Sequence, residues 1–142
     1  MLKLLIAVDG SAHAQHAIEA VSGMARLGAP LEVSLLNVRE PFVYYGEVPV
    51  YNIDEIEADQ KKVQDQLLAD ARASAQGLGL SVASIQAALG MPGPEIVRVA
   101  SELGVDQIVL GTHGRGAMGS LFMGSVAQRV VHLATIPVLL VK

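Results

Sequence analysis

The sequence predicts an α/β fold in which helices cover both faces of a five-stranded parallel sheet. Five short, largely apolar runs alternate along the chain with segments of helical periodicity, and this pattern is typical of parallel strands joined by right-handed crossovers. The chain has 142 residues, 51% of them hydrophobic, which suffices for one compact core. We therefore expect a single, doubly wound domain that spans residues 1–142.

The first half of the chain opens with a strand–helix–strand unit. Continuous apolar runs from Leu2 to Val8 and from Leu31 to Val38 have the length and composition of buried parallel strands. Between them, apolar residues at helical spacing end at Gly28, and Ser11 is available to cap the start of that helix. A long amphipathic helix is then predicted from Asp54 to Gln76, because its apolar residues recur at intervals of seven and four.

The second half continues the alternation. A third strand is predicted from Leu80 to Ala87, followed by a turn and a short helix from Pro94 to Leu103. Asp106 to Leu110 and Ile136 to Val141 complete the five strands, and a last helix is predicted to begin near Ser125. In such sheets ligands bind beyond the carboxyl ends of the strands, where the strand order reverses. The loops after the first and fourth strands are therefore the candidate site.

Composition excludes several classes of function. The chain has no cysteine, which rules out thiol catalysis, zinc–thiolate sites and disulfides. Its net charge of -4 disfavours a duplex nucleic-acid binder, and no apolar run approaches the roughly 18 residues needed to cross a bilayer. The histidines at 13, 16 and 132 show no metal-ligand clustering. We expect a cytoplasmic protein with no nucleic-acid partner and no membrane insertion.

The segment from Gly111 to Gln128 contains five glycines and directly follows an apolar strand. Two common nucleotide motifs fail in it. Gly114 to Gly119 has the spacing G-x-G-x-x-G, but no acidic residue follows Asp106, so the ribose-binding carboxylate of a dinucleotide site is missing. Gly119 to Ser125 has the glycine spacing of a P-loop but lacks its Gly-Lys pair.

A third spacing, Gly111-x2-Gly114-x9-Gly124-Ser125, is complete. On this spacing the sequence resembles the ATP-binding branch of the universal stress protein family, whose signature is G-x2-G-x9-G-[ST]. The resemblance covers the whole chain and includes the segments LLIAVDGS, LLNV, DQIVLGTHGRG and GSVAQRVVHLATIPVLLV. It implies a single-domain, Rossmann-like fold of the adenine nucleotide alpha hydrolase type, with strand order 3-2-1-4-5.

Elementary chemistry agrees with an anion site in this segment. Without a Cβ, the three motif glycines allow backbone N–H groups to approach phosphate oxygens. Ser125 to Gln128 has the pattern of a capping box, which predicts a helix N-terminus, with its positive dipole end, beside the loop. Because the chain after Asp106 has no acid, its local charge also favours phosphate. The cations of this part are Arg115, Arg129 and Lys142.

The resemblance implies roles for individual residues. Asp9, which by its own context starts a turn or caps a helix, faces the nucleotide ribose in the family. Val38 is most simply the last core residue of its strand, and the family uses the backbone there to meet adenine. His113 contacts phosphate largely through its backbone, and Ser125 caps its helix or donates to the terminal phosphates. The predicted nucleotide-binding residues are Ala7, Val8, Asp9, Val38, Leu110, Gly111, His113, Gly114, Arg115, Gly124, Ser125, Val126 and Ala127.

The implied ligand is ATP, with Mg²⁺ or Mn²⁺ held through the phosphates because Asp9 is the only carboxylate near the loop. Family members often carry a hydroxyl residue at the position of Ala127, and its absence here removes a phosphate contact. The sequence offers no Ser-His-Asp arrangement and no pair of catalytic carboxylates, so we expect a regulatory ATP-binding protein rather than an enzyme. The alternatives are a nucleotide-free scaffold of the same fold and a slow ATPase or adenylate-forming enzyme.

Two further features predict protein contacts. The implied strand order leaves Ile136 to Val141 at a sheet edge, and pairing with a second copy would cover it in a two-fold homodimer. A regulatory protein partner of unknown identity is also expected. The connector from Arg39 to Ile53 holds most of the chain's aromatic residues, which form a packing cluster, a flap beside the adenine pocket or a dimer contact. These residues are Phe42, Tyr44, Tyr45 and Tyr51.

Overall fold

The computed structural model describes residues 1–42, 46, 52–114 and 123–142. Strands and helices alternate along the chain as predicted, and the α/β fold class is confirmed. The strands are β1 (Leu2–Ala7), β2 (Leu31–Arg39), β3 (Val82–Leu89), β4 (Gln107–Gly111) and β5 (Val138–Val141). The helices are α1 (Ala12–Arg26), α2 (Ile53–Gly77), α3 (Pro92–Leu103) and α4 (Ser125–Leu133).

The strands form one parallel sheet in the order β3-β2-β1-β4-β5, which confirms the order implied by the family resemblance. The chain runs outward from β1 to β3 and then returns to place β4 on the other side of β1. The strand order therefore reverses between β1 and β4. The loops after these two neighbouring strands carry the two candidate motifs, so the topology brings them to one point.

Two apolar layers hold the sheet between its helices. Leu4 and Ile6 of β1 pack with α1 and α2 on one face, and Leu5 between them packs with α3 and α4 on the other. This alternation follows from the two-residue period of a strand. Because both faces are covered, the central strand β1 is apolar apart from Lys3, as expected for a parallel sheet. No helix in the described ranges is long and apolar enough to cross a membrane.

The predicted boundaries agree with the observed ones to within two residues, and the differences have local causes. β3 begins at Val82 rather than Leu80 because the Leu80 N–H donates to the Ala75 carbonyl and closes the end of α2. β5 begins at Val138 rather than Ile136. The residue before it, Pro137, has no N–H and contributes only its carbonyl, which accepts from β4.

Helix α3 begins two residues earlier than predicted, at Pro92 rather than Pro94. Met91 is its N-cap residue, and a proline is well suited to the first helical position, where its missing N–H has no intrahelical partner. The helix ends at Leu103, and its C-cap residue Gly104 adopts a left-handed conformation with φ of 62°. The earlier start brings the first turn of α3 toward the carboxyl edge of the sheet.

Candidate functional site

A cavity of about 590 Å³ opens at the carboxyl ends of β1, β2 and β4. Its volume lies in the range of small-molecule sites. All of the predicted nucleotide-binding residues line it except Arg115, which lies outside the described residues. The predicted residues that line it are Ala7, Val8, Asp9, Val38, Leu110, Gly111, His113, Gly114, Gly124, Ser125, Val126 and Ala127.

The N-terminus of α4 forms one end of this cavity. Gly124 is the N-cap with an extended backbone, and Ser125, Val126 and Ala127 form the first helical turn. The first intrahelical bond joins the Gln128 N–H to the Gly124 carbonyl at 3.0 Å, so the N–H groups before it have no acceptor within the helix. Because these residues line the cavity, their N–H groups and the positive end of the helix dipole favour an anion there. We call this region the α4 end.

The predicted capping box at the start of α4 is wrong. Gly124 is the N-cap instead of Ser125, and no side chain caps the helix. Gln128, the expected partner of Ser125, donates from its Nε2 to the Met123 carbonyl at 3.0 Å. Ser125 therefore does not cap the helix, and it is one of the residues that line the cavity.

The first two motif glycines allow protein segments to pack closely against one another. A Cβ on Gly111 would lie 2.6 Å from the His13 Cβ and 2.9 Å from the His13 carbonyl carbon, so β4 packs directly on α1. A Cβ on Gly114 would collide with the Asp9 carboxylate. These two glycines therefore shape the protein around the cavity, and their role in admitting phosphate stays a prediction.

The third motif glycine joins the two described parts of the loop. The Gly124 N–H donates to the Thr112 carbonyl at 2.6 Å, and a Cβ on Gly124 would lie 3.1 Å from that same oxygen. It would also lie 3.3 Å from the His113 Cα. The start of α4 is thus held against the end of β4, and any side chain larger than glycine would crowd this contact.

Asp9 links the loops after β1 and β4. One carboxylate oxygen, Oδ1, accepts from the Ser11 N–H at 2.9 Å, which is the turn interaction that the sequence suggests. The other, Oδ2, faces Gly114. Ser11 in turn caps α1, since its hydroxyl accepts from the Ala14 N–H at 3.2 Å, and that prediction is confirmed. The turn therefore holds the Asp9 carboxylate at the cavity wall, where its role toward ribose stays a prediction.

The backbone of Val38 faces the cavity at the opposite end. Even-numbered residues of β2 turn their N–H and C=O groups toward β1, as shown by the 2.8 Å bond from the Val8 N–H to the Leu36 carbonyl. β1 ends at Ala7, and no strand in the described ranges continues beside Val38. One residue therefore presents both a donor and an acceptor to the cavity, as the edge of a heterocyclic base requires.

The surroundings of Val38 are apolar. Val38 packs against the apolar layer that contains Leu36 of β2 and Ile96 of α3, and both of these residues line the cavity, as does Pro92 of α3. Leu36 and Ile96 are buried. Apolar walls around a few directed polar groups are typical of sites that hold planar rings. We call this region the β2 end. Its α3 residues were not predicted, because nothing in the sequence indicates that the first turn of α3 reaches the cavity.

The predicted positive charge is not assembled at the described wall. Gly93 of α3 packs against the side chain of Arg129, and the Lys142 carbonyl lies 2.9 Å from His16 Nδ1, so neither cation lines the cavity. The described wall carries two carboxylates, Asp9 and Glu40. Attraction of an anion in this part of the site therefore depends on backbone N–H groups.

His113 and the aromatic connector are the remaining features to which the sequence assigns a role near the cavity. His113 lines the cavity, and the centroid of its ring lies 5.3 Å from that of His13. No group of three or more His, Asp or Glu side chains in the described ranges could hold a metal ion. Of the aromatic connector, Phe42 is described, whereas Tyr44, Tyr45 and Tyr51 lie outside the described residues.

Comparisons with known proteins agree along the full length of the chain. The sequence pattern of the universal stress protein family matches residues 1–142. The chain is 35% identical to universal stress protein YxiE of Bacillus subtilis, over 99% of this chain and 98% of the relative. It is 29% identical to the solved structure of MJ0577 of Methanocaldococcus jannaschii, with a TM-score of 0.71 over 99% of this chain and 95% of that one.

A more distant structure shares the fold. It is a universal stress protein family protein of Arabidopsis thaliana, solved with AMP bound, and it is 18% identical to this chain. The TM-score is 0.73, and the match covers 100% of this chain and 92% of that one. At this level of identity the likeness concerns the architecture.

Proposed function

The chain belongs to the universal stress protein family, and from this premise we propose that it is a regulatory protein that binds ATP. The observation that carries the proposal is the single cavity that joins the N-terminus of α4 to the backbone of Val38. Its two ends offer complementary chemistry, an anion site at one and a polar edge between apolar walls at the other. A nucleotide is a ligand with both properties.

In the proposed complex the phosphates lie at the α4 end. The N–H groups of Ser125, Val126 and Ala127 have no intrahelical acceptors, and the Ser125 hydroxyl adds a further donor at the same wall. Asp9, between the two ends, would accept from the ribose hydroxyls. The base would lie at the β2 end, where adenine offers a donor to the Val38 carbonyl and an acceptor to the Val38 N–H.

The adenine part of this proposal has support from a protein of the same fold. The Arabidopsis thaliana structure, which shares this architecture, was solved with AMP bound. The number of phosphates rests on the α4 end of the present structure. Backbone N–H groups recognise phosphate oxygen, and a longer phosphate chain engages more of them.

A divalent metal fits this site through the nucleotide. The described ranges contain no cluster of three potential ligand side chains, and Asp9 and Glu40 are the carboxylates of the described wall. We propose that Mg²⁺ or Mn²⁺ would be bound by the phosphates rather than by protein side chains. When bound, the metal would neutralise phosphate charge that the described wall leaves without a Lys or Arg.

We propose ATP as a regulatory ligand whose presence a partner protein recognises, without rapid turnover. An enzyme would reveal itself by hydrolysis that falls in Ser125→Ala by a much larger factor than the ATP affinity does. A nucleotide-free scaffold would instead fold normally and bind no nucleotide at all. These two alternatives are therefore separable by one binding assay and one turnover assay.

We further propose a homodimer through β5, the last strand of the sheet. The Ile108 and Thr112 N–H groups donate to the carbonyls of Pro137 and Val141, so odd-numbered residues of this segment face β4. Leu140 therefore turns its N–H to the outer edge, where a second copy would pair antiparallel. Leu140→Pro removes that donor and should shift the protein toward monomer in light scattering, with helix content retained.

The test of nucleotide binding is calorimetric titration of nucleotide-free protein with ATP, ADP and AMP, with and without magnesium. The wild type should bind ATP most tightly. Gly124→Val should lower the affinity for ATP about a hundredfold, because the new side chain crowds the Thr112 carbonyl and displaces the start of α4.

Gly77→Val is the matched control. This glycine lies at the end of α2, and a Cβ there would have no neighbour within 4 Å. The Gly77→Val protein should bind ATP with the affinity of the wild type. A folded wild-type protein that binds none of the three nucleotides would overturn the proposed function and leave the fold unchanged.

A further inference from the structure

Two buried side-chain amides lie where β1, β2 and β3 end, and the proposed function does not use them. Asn37 of β2 is 8% exposed and Gln64 of α2 is 4% exposed. We call them the amide pair. The Asn37 Nδ2 donates to the Val8 carbonyl at 2.7 Å. The Gln64 Nε2 lies 3.1 Å from the Asn37 Oδ1, 3.0 Å from the Asn37 carbonyl and 2.9 Å from the Ala88 carbonyl.

Asn37 ends the hydrogen-bonded ladder between β1 and β2. After the bond from the Val8 N–H to the Leu36 carbonyl, a parallel ladder would continue with a bond from the Val38 N–H to the Val8 carbonyl. That carbonyl instead accepts from the Asn37 side chain, and Val8 lies outside β1. The Asn37 amide thus takes the acceptor that Val38 would use, and the Val38 N–H is directed to the cavity.

Gln64 fixes the orientation of the Asn37 amide. A side-chain amide has a donor and an acceptor of nearly equal shape, so its function depends on which of them faces the Val8 carbonyl. Because the Gln64 Nε2 can only donate, it selects the Asn37 oxygen and leaves the Asn37 Nδ2 for Val8. Gln64 does not itself line the cavity, so it acts through Asn37.

We propose that the amide pair consists of positioning residues that select the nucleobase by keeping the Val38 peptide unpaired and correctly aligned. The inference rests on the proposed function and deepens it. On its Watson–Crick edge, adenine carries a donor at its amino group beside an acceptor ring nitrogen, whereas guanine carries a carbonyl acceptor beside an N–H donor in the corresponding places. A Val38 N–H and carbonyl held in one alignment therefore accept adenine and reject guanine.

The phosphates provide an internal reference for the test. ATP and GTP carry the same triphosphate, so contacts at the α4 end contribute equally to both affinities. The ratio of the two dissociation constants reports the β2 end alone. We expect the wild type to bind ATP at least about a hundredfold more tightly than GTP, since unmatched buried polar groups reject a wrong base strongly.

The first variant is Asn37→Ala, measured by calorimetric titration with ATP and with GTP. Without the side-chain amide, the Val38 N–H can pair with the Val8 carbonyl and continue the ladder. The preference for ATP should fall at least about tenfold, while triphosphate binding is retained. Ser34→Ala is the matched control, because Ser34 is a buried polar residue of the same strand that bonds to Ser84 Oγ at 2.9 Å and does not line the cavity. Its preference should equal that of the wild type.

The second variant is Gln64→Glu, which keeps the shape of the side chain. At about pH 7.5 a carboxylate cannot donate to the Asn37 Oδ1, and the preference for ATP should fall as in Asn37→Ala. At about pH 5.5 a buried glutamic acid regains a proton and with it a donor, so the preference should rise again. The wild-type preference should stay constant between these conditions. A purely structural role for Gln64 would lower both affinities together and would not restore the ratio.

The outcomes separate this inference from the proposed function. A wild type that binds no nucleotide overturns the proposed function and this inference with it. A wild type that binds ATP, with variants whose ATP and GTP affinities fall by the same factor, overturns the role of the amide pair alone. If Asn37→Ala fails to fold by circular dichroism, the pH-dependent ratio of Gln64→Glu decides the question.

Discussion

The two ends of the cavity are built by opposite means. At the α4 end the protein offers backbone N–H groups, and the nearby glycines Gly111, Gly114 and Gly124 allow close packing because they lack a Cβ. At the β2 end it uses buried side chains, Asn37 and Gln64, to keep a single peptide unpaired. N–H groups at a helix terminus attract any suitable anion, whereas one aligned donor and acceptor accept only a matching edge. In the proposed complex, the α4 end would supply most of the affinity for the nucleotide and the β2 end would supply the selectivity for its base.

The largest expected effect comes from Gly111→Ala, at the motif glycine that ends β4 before the loop to the α4 end. The added Cβ would lie 2.6 Å from the His13 Cβ and 2.9 Å from its carbonyl carbon, so α1 and β4 must separate. Overpacking of this kind should reduce the free energy of unfolding by about 1–3 kcal/mol. Urea denaturation with circular dichroism measures the change.

Gly23→Ala provides the control for this prediction. Gly23 lies within α1, and a Cβ there would have no neighbour within 4 Å. Alanine should raise the free energy of unfolding by up to about 1 kcal/mol, because it favours the helix. Equal stability of Gly111→Ala and wild type would show that the glycine is not needed for the close contact of α1 with β4.

An intermediate effect concerns Asp9, which lies between the two ends. Asp9→Asn keeps the oxygen that accepts from the Ser11 N–H and removes the charge that would bind the ribose hydroxyls. ATP affinity should fall about tenfold. Calorimetry with 2′,3′-dideoxy-ATP closes a double-mutant cycle, and the substitution should have almost no effect on that ligand. Equal losses for both nucleotides would assign Asp9 to the loop rather than to the ribose.

The smallest expected effect sharpens the α4 end by adding a donor. Ala127 is buried and belongs to the first turn of α4 at the cavity wall. Ala127→Ser should raise the affinity for ATP about threefold, because its hydroxyl adds one hydrogen bond to phosphate; calorimetric titration measures the change. Ala100→Ser is the control for burial of a hydroxyl, since Ala100 is equally buried in the same apolar layer but does not line the cavity. A gain of the same size in the control would contradict a phosphate contact.

The α4 end could be predicted from the sequence, whereas the β2 end could be predicted only in part. A glycine motif is local and keeps its spacing, so Gly111, Gly114 and Gly124 were found together with the strand that precedes them. The capping box failed because a sequence pattern does not show which of two adjacent residues, Gly124 or Ser125, has the non-helical backbone. The contact of Gly124 with Thr112 decides that question, and it is visible only in three dimensions.

The amide pair was missed because its members lie 27 positions apart and each is unremarkable by itself. A signal was present nevertheless. Asn37 interrupts an otherwise apolar strand end, and Gln64 falls in register with Leu68, Ala71 and Ala75, the buried residues of α2. A polar residue on a buried stripe must find a partner, and that requirement could have pointed to both.

The contact between α3 and α4 has a consequence for the length of ligand that the cavity accepts. Gly93 meets the side chain of Arg129 without an intervening Cβ, which sets how near the two helices approach. α3 contributes Pro92 and Ile96 to the wall of the β2 end, and α4 contributes Ser125 to the wall of the α4 end. The distance between the two helices, and with it the distance between these two walls, is therefore set by a contact outside the cavity. A residue larger than glycine at position 93 would push the two helices apart, and the cavity would then accept a longer ligand.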